Sequence, residues 1–210
     1  RQRVIDGVHE QEQPDGRCIQ IVERPTPEGG LVITYHDVTA LRRANAEIES
    51  LAFYDPLTGL PNRRLLHDRL GQASVLAQRS GQLGALLFLD LDHFKALNDT
   101  LGHEVGDELL QQVAQRLRAC VRVADTVARL GGDEFVVMLN ELSSSTEEAA
   151  QLAQRIGEKI LHGLSQPYVL KVHAHQSGCS IGATLFGGSL QTATDLLKQA
   201  DIAMYQVKSQ

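Results

Sequence analysis

From Asp55 onward, apolar positions follow two alternating rhythms. Leu83 to Leu89 is a continuous apolar run ending in Asp90-Leu91-Asp92, the pattern of a central strand covered on both faces. Val127 to Leu130 and Glu134 to Leu139 are two further runs, and the Gly131-Gly132 pair between them predicts a hairpin. Around these strands the spacing becomes helical. Asn62 stands where it can cap a helix through about Gln78, with Leu65, Leu66, Leu70 and Leu76 as its apolar face. Phe94 to Leu101 and Asp107 to Val121 read as helices separated by Gly102 and Gly106. Ser145-Thr146-Glu147-Glu148 has the form of a capping box opening a helix to about Leu161. Strands near Tyr168 to His175 and Gly178 to Phe186 and a helix over Thr194 to Lys208 complete the series.

The pattern changes near residue 40. Two turn-rich clusters, Gln13-Pro14-Asp15-Gly16 and Pro25-Thr26-Pro27-Glu28-Gly29-Gly30, flank short alternating runs at Cys18 to Val22 and Leu31 to Tyr35. They predict a hairpin, which over about forty residues cannot bury a core of its own. The segment therefore reads as the closing part of a larger domain. Leu41, Ala44, Ile48, Leu51 and Ala52 recur at near-helical spacing, predicting an amphipathic connecting helix. It could pair with its counterpart in a second subunit or pack on its own domain.

Composition narrows the field. A chain of 210 residues with 42% hydrophobic and 22% charged residues suits one substantial globular domain plus a smaller one. A net charge of -6 disfavours non-specific binding to nucleic acid or anionic lipid, and no apolar run reaches membrane-spanning length. Cys18, Cys120 and Cys179, odd in number and far apart, fit reduced thiols in the cytoplasm.

The acidic residues carry the chemistry. A side-chain period of two puts Asp90 and Asp92 on one side of a strand end, with the Leu91 carbonyl beside Asp90. Asp133 and Glu134 stand at the tip of a second strand. If the strands are neighbours, these carboxylates converge and repel one another unless a hard divalent cation answers them. Two glycines beside them let a ligand approach the backbone closely. Lys95 lies near a helix start, where free N–H groups favour phosphate. Asn98 and Asp107 can together satisfy a guanine edge, although each alone reads as a surface amide and an N-cap. Arg122 and Asp125 form an R-x-x-D sequence, ordinarily an exposed pair at a helix end. His173 and His175 alternate without further ligands nearby and read as solvated.

These motifs together resemble the GGDEF domain, the diguanylate cyclase family. The matching runs are Asp55-Pro56-Leu57-Thr58-Gly59-Leu60-Pro61-Asn62-Arg63, Asp90-Leu91-Asp92-His93-Phe94-Lys95 with Asn98-Asp99, Gly102-His103 with Gly106-Asp107, Gly131-Gly132-Asp133-Glu134-Phe135, and Ala200-Asp201-Ile202-Ala203-Met204-Tyr205. Residues 1–39, ending in Asp37-Val38-Thr39, more briefly resemble the end of a PAS sensor domain. The resemblance implies an α+β fold with a central, mostly antiparallel five-stranded sheet flanked by helices, like nucleotidyl cyclases and polymerase palms. The implied organisation is a PAS fragment over 1–39, a linker helix over 40–54 and the GGDEF domain over 55–210.

The implied activity is condensation of two GTP into cyclic di-GMP and two pyrophosphates. Mg2+, or Mn2+, would lie on Asp90, the Leu91 carbonyl and Asp133. Asn98 and Asp107 would read guanine, Lys95 and Lys208 would hold phosphates, and Gly131 and Gly132 would leave room for the nucleotide. Glu134 would help activate the ribose 3'-hydroxyl. Each domain of the family holds one GTP, so a homodimer is implied, and Arg122 with Asp125 would bind cyclic di-GMP as inhibitor. The implied location is cytoplasmic, with tethering to a membrane left to domains outside this chain. Two other readings stay open: a catalytically silent GTP- or cyclic di-GMP-binding module controlling a neighbouring EAL phosphodiesterase domain, and a product receptor acting through Arg122 and Asp125.

Overall fold

The computed structural model describes residues 7–171, 173–188 and 191–208, with the His173 side chain excepted. The outer bounds expected for the two domains, residues 1 and 210, lie outside the described residues. The chain divides into two compact units, Arg1–Ala52 and Phe53–Gln210.

In the first unit, β1 (Gly7–Glu12), β2 (Cys18–Pro25) and β3 (Leu31–Asp37) form an antiparallel meander in the order β1-β2-β3. The expected hairpin is β2–β3. β1 is an addition that the polar sequence GVHEQE concealed, because five of its six residues face solvent and show no apolar alternation. Helix α1 (Thr39–Phe53) follows, and none of its residues is buried. Leu41, Ile48 and Leu51 are all exposed.

The second unit opens with α2 (Arg63–Ser80), capped by Asn62, whose Oδ1 accepts from the amides of Arg64 (3.0 Å) and Leu65 (3.1 Å). Its buried stripe is Leu66, Leu70 and Ala77, whereas Leu76, expected on the apolar face, points outward. The 3.6-residue period places position 77, not 76, above Leu66 and Leu70. Next come β4 (Leu83–Leu91), α3 (Phe94–Leu101) and α4 (His103–Cys120). The break between the two helices is Gly102 alone, at φ 88°, and Gly106 lies inside α4. The expected start at Asp107 is therefore four residues late. Gly106 serves close approach instead of a turn, since a Cβ there would stand 1.9 Å from Asn98 Oδ1.

β5 (Thr126–Gly131) and β6 (Glu134–Ser143) form the expected hairpin, followed by α5 (Thr146–Ser165), whose N-cap Ser145 accepts from the Glu148 amide at 3.4 Å. β7 (Tyr168–Leu170) and β8 (His173–His175) come next, then β9 (Cys179–Phe186) and α6 (Ala193–Lys208). The central sheet is antiparallel throughout, in the order β5-β6-β4-β9. It has four strands instead of the five expected, because β7 and β8 pair with each other. Side chains of α4 occupy the backbone there: Gln112 donates to the Val169 carbonyl (2.8 Å), and Glu108 accepts from the Lys171 amide (3.0 Å).

Helices cover both sheet faces, which explains the unbroken apolar run of β4. Leu87, Leu89 and Leu91 of β4, with Phe135, Val137 and Leu139 of β6, pack with Leu109, Val113 and Leu117 of α4. Leu86 and Phe88, with Val136 and Met138, pack on the other side with Leu66 and Leu70 of α2 and Ala200 and Met204 of α6. Among the described residues, no helix is long and apolar enough to cross a membrane. The three cysteines carry free thiols, and burial pushes Cys179 up to about 12.

Candidate active site

Strand parity decides where the acids go. Asp90 continues the Leu86–Phe88 face of β4, and Glu134 continues the Val136–Met138 face of β6, so both belong to the α2/α6 side. Register makes them cross-strand partners, Asp90 opposite Glu134. Asp133 sits in the two-residue loop between Gly131 and Glu134, and its carbonyl accepts from the Leu91 amide at 3.4 Å. Burial and then the Asp90 charge hold the Asp133 carboxyl above its usual range. Burial raises Glu134 as well. Arg63 opposes that rise, and the charges of Asp201, Asp133 and Asp90 reinforce it. Asp92 does not join the cluster: Ser180 Oγ donates to its Oδ1 at 3.1 Å, and its amide donates to the Gly178 carbonyl at 3.0 Å.

Two cations answer the acids. Arg63 Nη2 lies 3.7 Å from Glu134 Oε2, and the Lys208 ammonium donates to Asp90 Oδ1. That contact pushes the Lys208 ammonium above its usual value. Lys208 reaches Asp90 because α6 lies almost on the sheet. A Cβ on Gly182 would stand 2.1 Å from the Met204 amide nitrogen, so only glycine admits the helix here. Ala200, Met204 and Lys208 then follow at i, i+4 and i+8 along the inner face.

Just past the Asp90 end of β4, α3 begins after His93, which is at φ 60° and offers no side-chain cap. The first amides of α3 are thus free of a side-chain acceptor beside the exposed Lys95. Asn98 Oδ1 is buried and accepts no hydrogen bond. It packs against Gly106, one residue before the exposed Asp107. Arg122 and Asp125 lie before β5, at the opposite end of the strand from Gly131, roughly 20 Å away along the strand. Asp125 Oδ2 accepts from the Arg122 amide (2.9 Å) and Oδ1 from the Asn140 amide (3.1 Å). The exposed Arg122 side chain lines a cleft of about 280 Å³ with Arg69, Arg118 and Asp125.

The family model for the GGDEF domain of diguanylate cyclases matches residues 52–210. The chain belongs to the GGDEF domain family. The resemblance read from its motifs is borne out, and a PAS fold model matches residues 4–46. Over 172 residues, this GGDEF chain is 49% identical to MucR of Pseudomonas aeruginosa, described as a bifunctional diguanylate cyclase/cyclic di-GMP phosphodiesterase. That match covers 82% of this chain and 24% of MucR. Diguanylate cyclase TpbB of the same species is 40% identical over 171 residues, covering 81% of this chain and 38% of TpbB. The solved GGDEF domain of TpbB superposes with a TM-score of 0.69 at 39% identity, covering 74% of this chain and 88% of that one. The solved coiled coil and GGDEF domain of DgcB from Caulobacter crescentus, in complex with c-di-GMP, gives 0.71 at 28% identity, covering 82% and 88%. The chain spans about a quarter of MucR and under two fifths of TpbB.

In this GGDEF domain, sequence reasoning missed three charged groups near the acids. Arg63 and Asp201 belong to the family motifs but carry no role that their spacing predicts, yet both act on Glu134. Their motif membership was the available signal, but only the fold brings α2 and α6 to one strand end. The third is Arg129, which reaches from β5 to Asp55 and to the Gly132 carbonyl. Lys208 was expected to hold phosphate and here lies on Asp90.

Proposed function

We propose that this chain is a Mg2+-dependent diguanylate cyclase that joins two GTP molecules into cyclic di-GMP, acting as a homodimer in the cytoplasm, where GTP is available. The observation that carries the reading is the Asp90–Glu134 pairing with Asp133 at the adjoining tip. Three partly buried carboxylates share one sheet end, beside a glycine turn with open space around both glycines.

The donor set fits a divalent cation that also takes substrate oxygens. Among the described residues, no three His, Cys, Asp or Glu side chains converge as a ready metal site. Mg2+ characteristically binds one or two carboxylates together with substrate phosphates. Asp90, Asp133 and the Leu91 carbonyl would hold it. When bound, the ion supplies charge neutralisation for the triphosphate and polarises the attacking hydroxyl. Lys208 is the cation that meets Asp90 in the structure. On nucleotide binding its ammonium would move to phosphate, joined by Lys95 and the free amides of α3. The buried, unpartnered Asn98 Oδ1 and the exposed Asp107 carboxylate would accept from the guanine N–H groups, and Gly131 and Gly132 would leave space for the ribose and phosphates.

In the reaction, the 3'-oxygen of one GTP bonds to the α-phosphorus of the other, the bond to pyrophosphate breaks, and Glu134 receives the hydroxyl proton. A second, reciprocal displacement closes the ring and releases the second pyrophosphate. Both displacements need two domains face to face. The exposed Leu41, Ile48 and Leu51 of α1 offer a seam for a second copy. Arg122 and Asp125 would bind the product and inhibit the enzyme.

Incubating the chain with GTP and Mg2+ and resolving the nucleotides by chromatography tests the reading. Cyclic di-GMP should appear and pyrophosphate with it; a dimeric sample that forms none refutes the assignment. A silent module regulating an EAL domain draws support from MucR, whose name includes a phosphodiesterase. That reading predicts nucleotide binding without product.

A further inference from the structure

One guanidinium ties the glycine turn to the segment that follows α1. Arg129 Nε and Nη2 donate to the Gly132 carbonyl at 3.1 and 2.7 Å. Its Nη1 donates to Asp55 Oδ1 and Oδ2 at 3.0 and 3.1 Å. The pair is sheltered, with the Arg129 and Asp55 side chains only 11% and 16% exposed. Asp55 is fastened in turn: the Thr58 amide and hydroxyl donate to its Oδ2 at 2.8 and 2.6 Å. Burial alone would raise the Asp55 carboxyl, but the Thr58 and Arg129 donors outweigh it and hold it below the usual range. The Arg129 amide also donates to the Pro61 carbonyl (3.0 Å), and the Asn62 amide to Phe53 (2.9 Å).

Beyond the Gly131–Glu134 pairing and the Leu91 amide on the Asp133 carbonyl (3.4 Å), little packs against the turn. Gly131 and Gly132 are at φ 137° and 52°, and nothing lies within 4 Å of where either Cβ would be. Glycine is the residue with most freedom to leave such a conformation. A rigid fork reaching two acceptors at once restricts it in a way that the single ammonium of lysine cannot.

We infer that Arg129, anchored by Asp55, is a positioning residue that fixes the Gly131–Gly132 turn and thereby the Asp133 carboxylate. The kinetic consequence of this role rests on the cyclase reading; the structural consequence does not.

The test compares the full chain with Arg129→Lys and Asp55→Asn. Amide hydrogen exchange is followed in a peptide spanning the turn and in one from β4, alongside kcat and KM for GTP. Both substitutions should speed exchange in the turn peptide at least about tenfold while leaving β4 protected. They should lower kcat roughly tenfold to a hundredfold with KM changed far less, since misplacement of about 1 Å costs that much. Folded variants whose turn exchanges at the wild-type rate overturn the inference. If wild type makes no cyclic di-GMP but the turn responds, the cyclase reading fails and the positioning role stands. Should Arg129→Lys not fold, Asp55→Asn, which preserves side-chain shape, decides by the same exchange criterion.

Discussion

The two ends of the β5–β6 hairpin hold acids in opposite ways. At the Asp125 end, two fixed backbone amides, from Arg122 and Asn140, donate to the carboxylate oxygens. At the Asp133–Glu134 end the carboxyls are partly buried beside Asp90, and both are pushed above their usual values. The first arrangement is complete within the protein. The second stays unfavourable even with Lys208 on Asp90 and Arg63 near Glu134, which is the character of a site that carries function at some cost to stability. Asp125 accordingly contributes to the fold whatever it binds, whereas Asp133 has no comparable structural reason to be acidic.

The largest effect that could break this contrast is on turnover. Asp133→Ala should reduce cyclic di-GMP formation at least about a hundredfold, measured with saturating GTP and Mg2+. Next, Arg122→Ala should raise the cyclic di-GMP concentration needed for half-inhibition by about tenfold or more, through loss of one charge-assisted contact. At the same end, Asp125→Ala should cost about 1–2 kcal/mol by leaving two amides without their acceptor, visible as a lower Tm. The smallest effect runs in the opposite direction. A carboxyl whose pKa is raised by folding costs stability while ionised, and that cost vanishes as the pH falls below its unfolded value. In metal-free buffer at neutral pH, Asp133→Asn should therefore raise Tm by about 1–3 °C, and the gain should disappear below the usual aspartate value of 3.8. A fall in Tm would place Asp133 with Asp125 as a structural acid.

Much of the domain was legible because its signals are local. Asn62 before Leu65 and Leu66, Ser145 before Glu148, and glycines between two apolar runs are each decided within a few residues. Other elements defied local reading. β1 carries no apolar alternation, so only its pairing with β2 reveals it. Gly106 looked like a break, and only the approach of α3 to α4 shows why it is glycine. The run at Tyr168 to His175 has the pattern of a strand, yet it folds back on itself as β7 and β8, with Gln112 and Glu108 of α4 bonded to its Val169 carbonyl and Lys171 amide.

By itself the sequence determined that Asp90, Asp133 and Glu134 stand at strand ends, because parity and turn chemistry are properties of neighbouring residues. It also determined, through motif order, the family to which the chain belongs. Only the tertiary structure decided that Asp90 faces Glu134, that Lys208 reaches Asp90 across the Gly182 contact, and that Arg129 joins Asp55 to the glycine turn. Those relations depend on register and helix placement, which follow from burying both faces of one sheet at once rather than from any single segment.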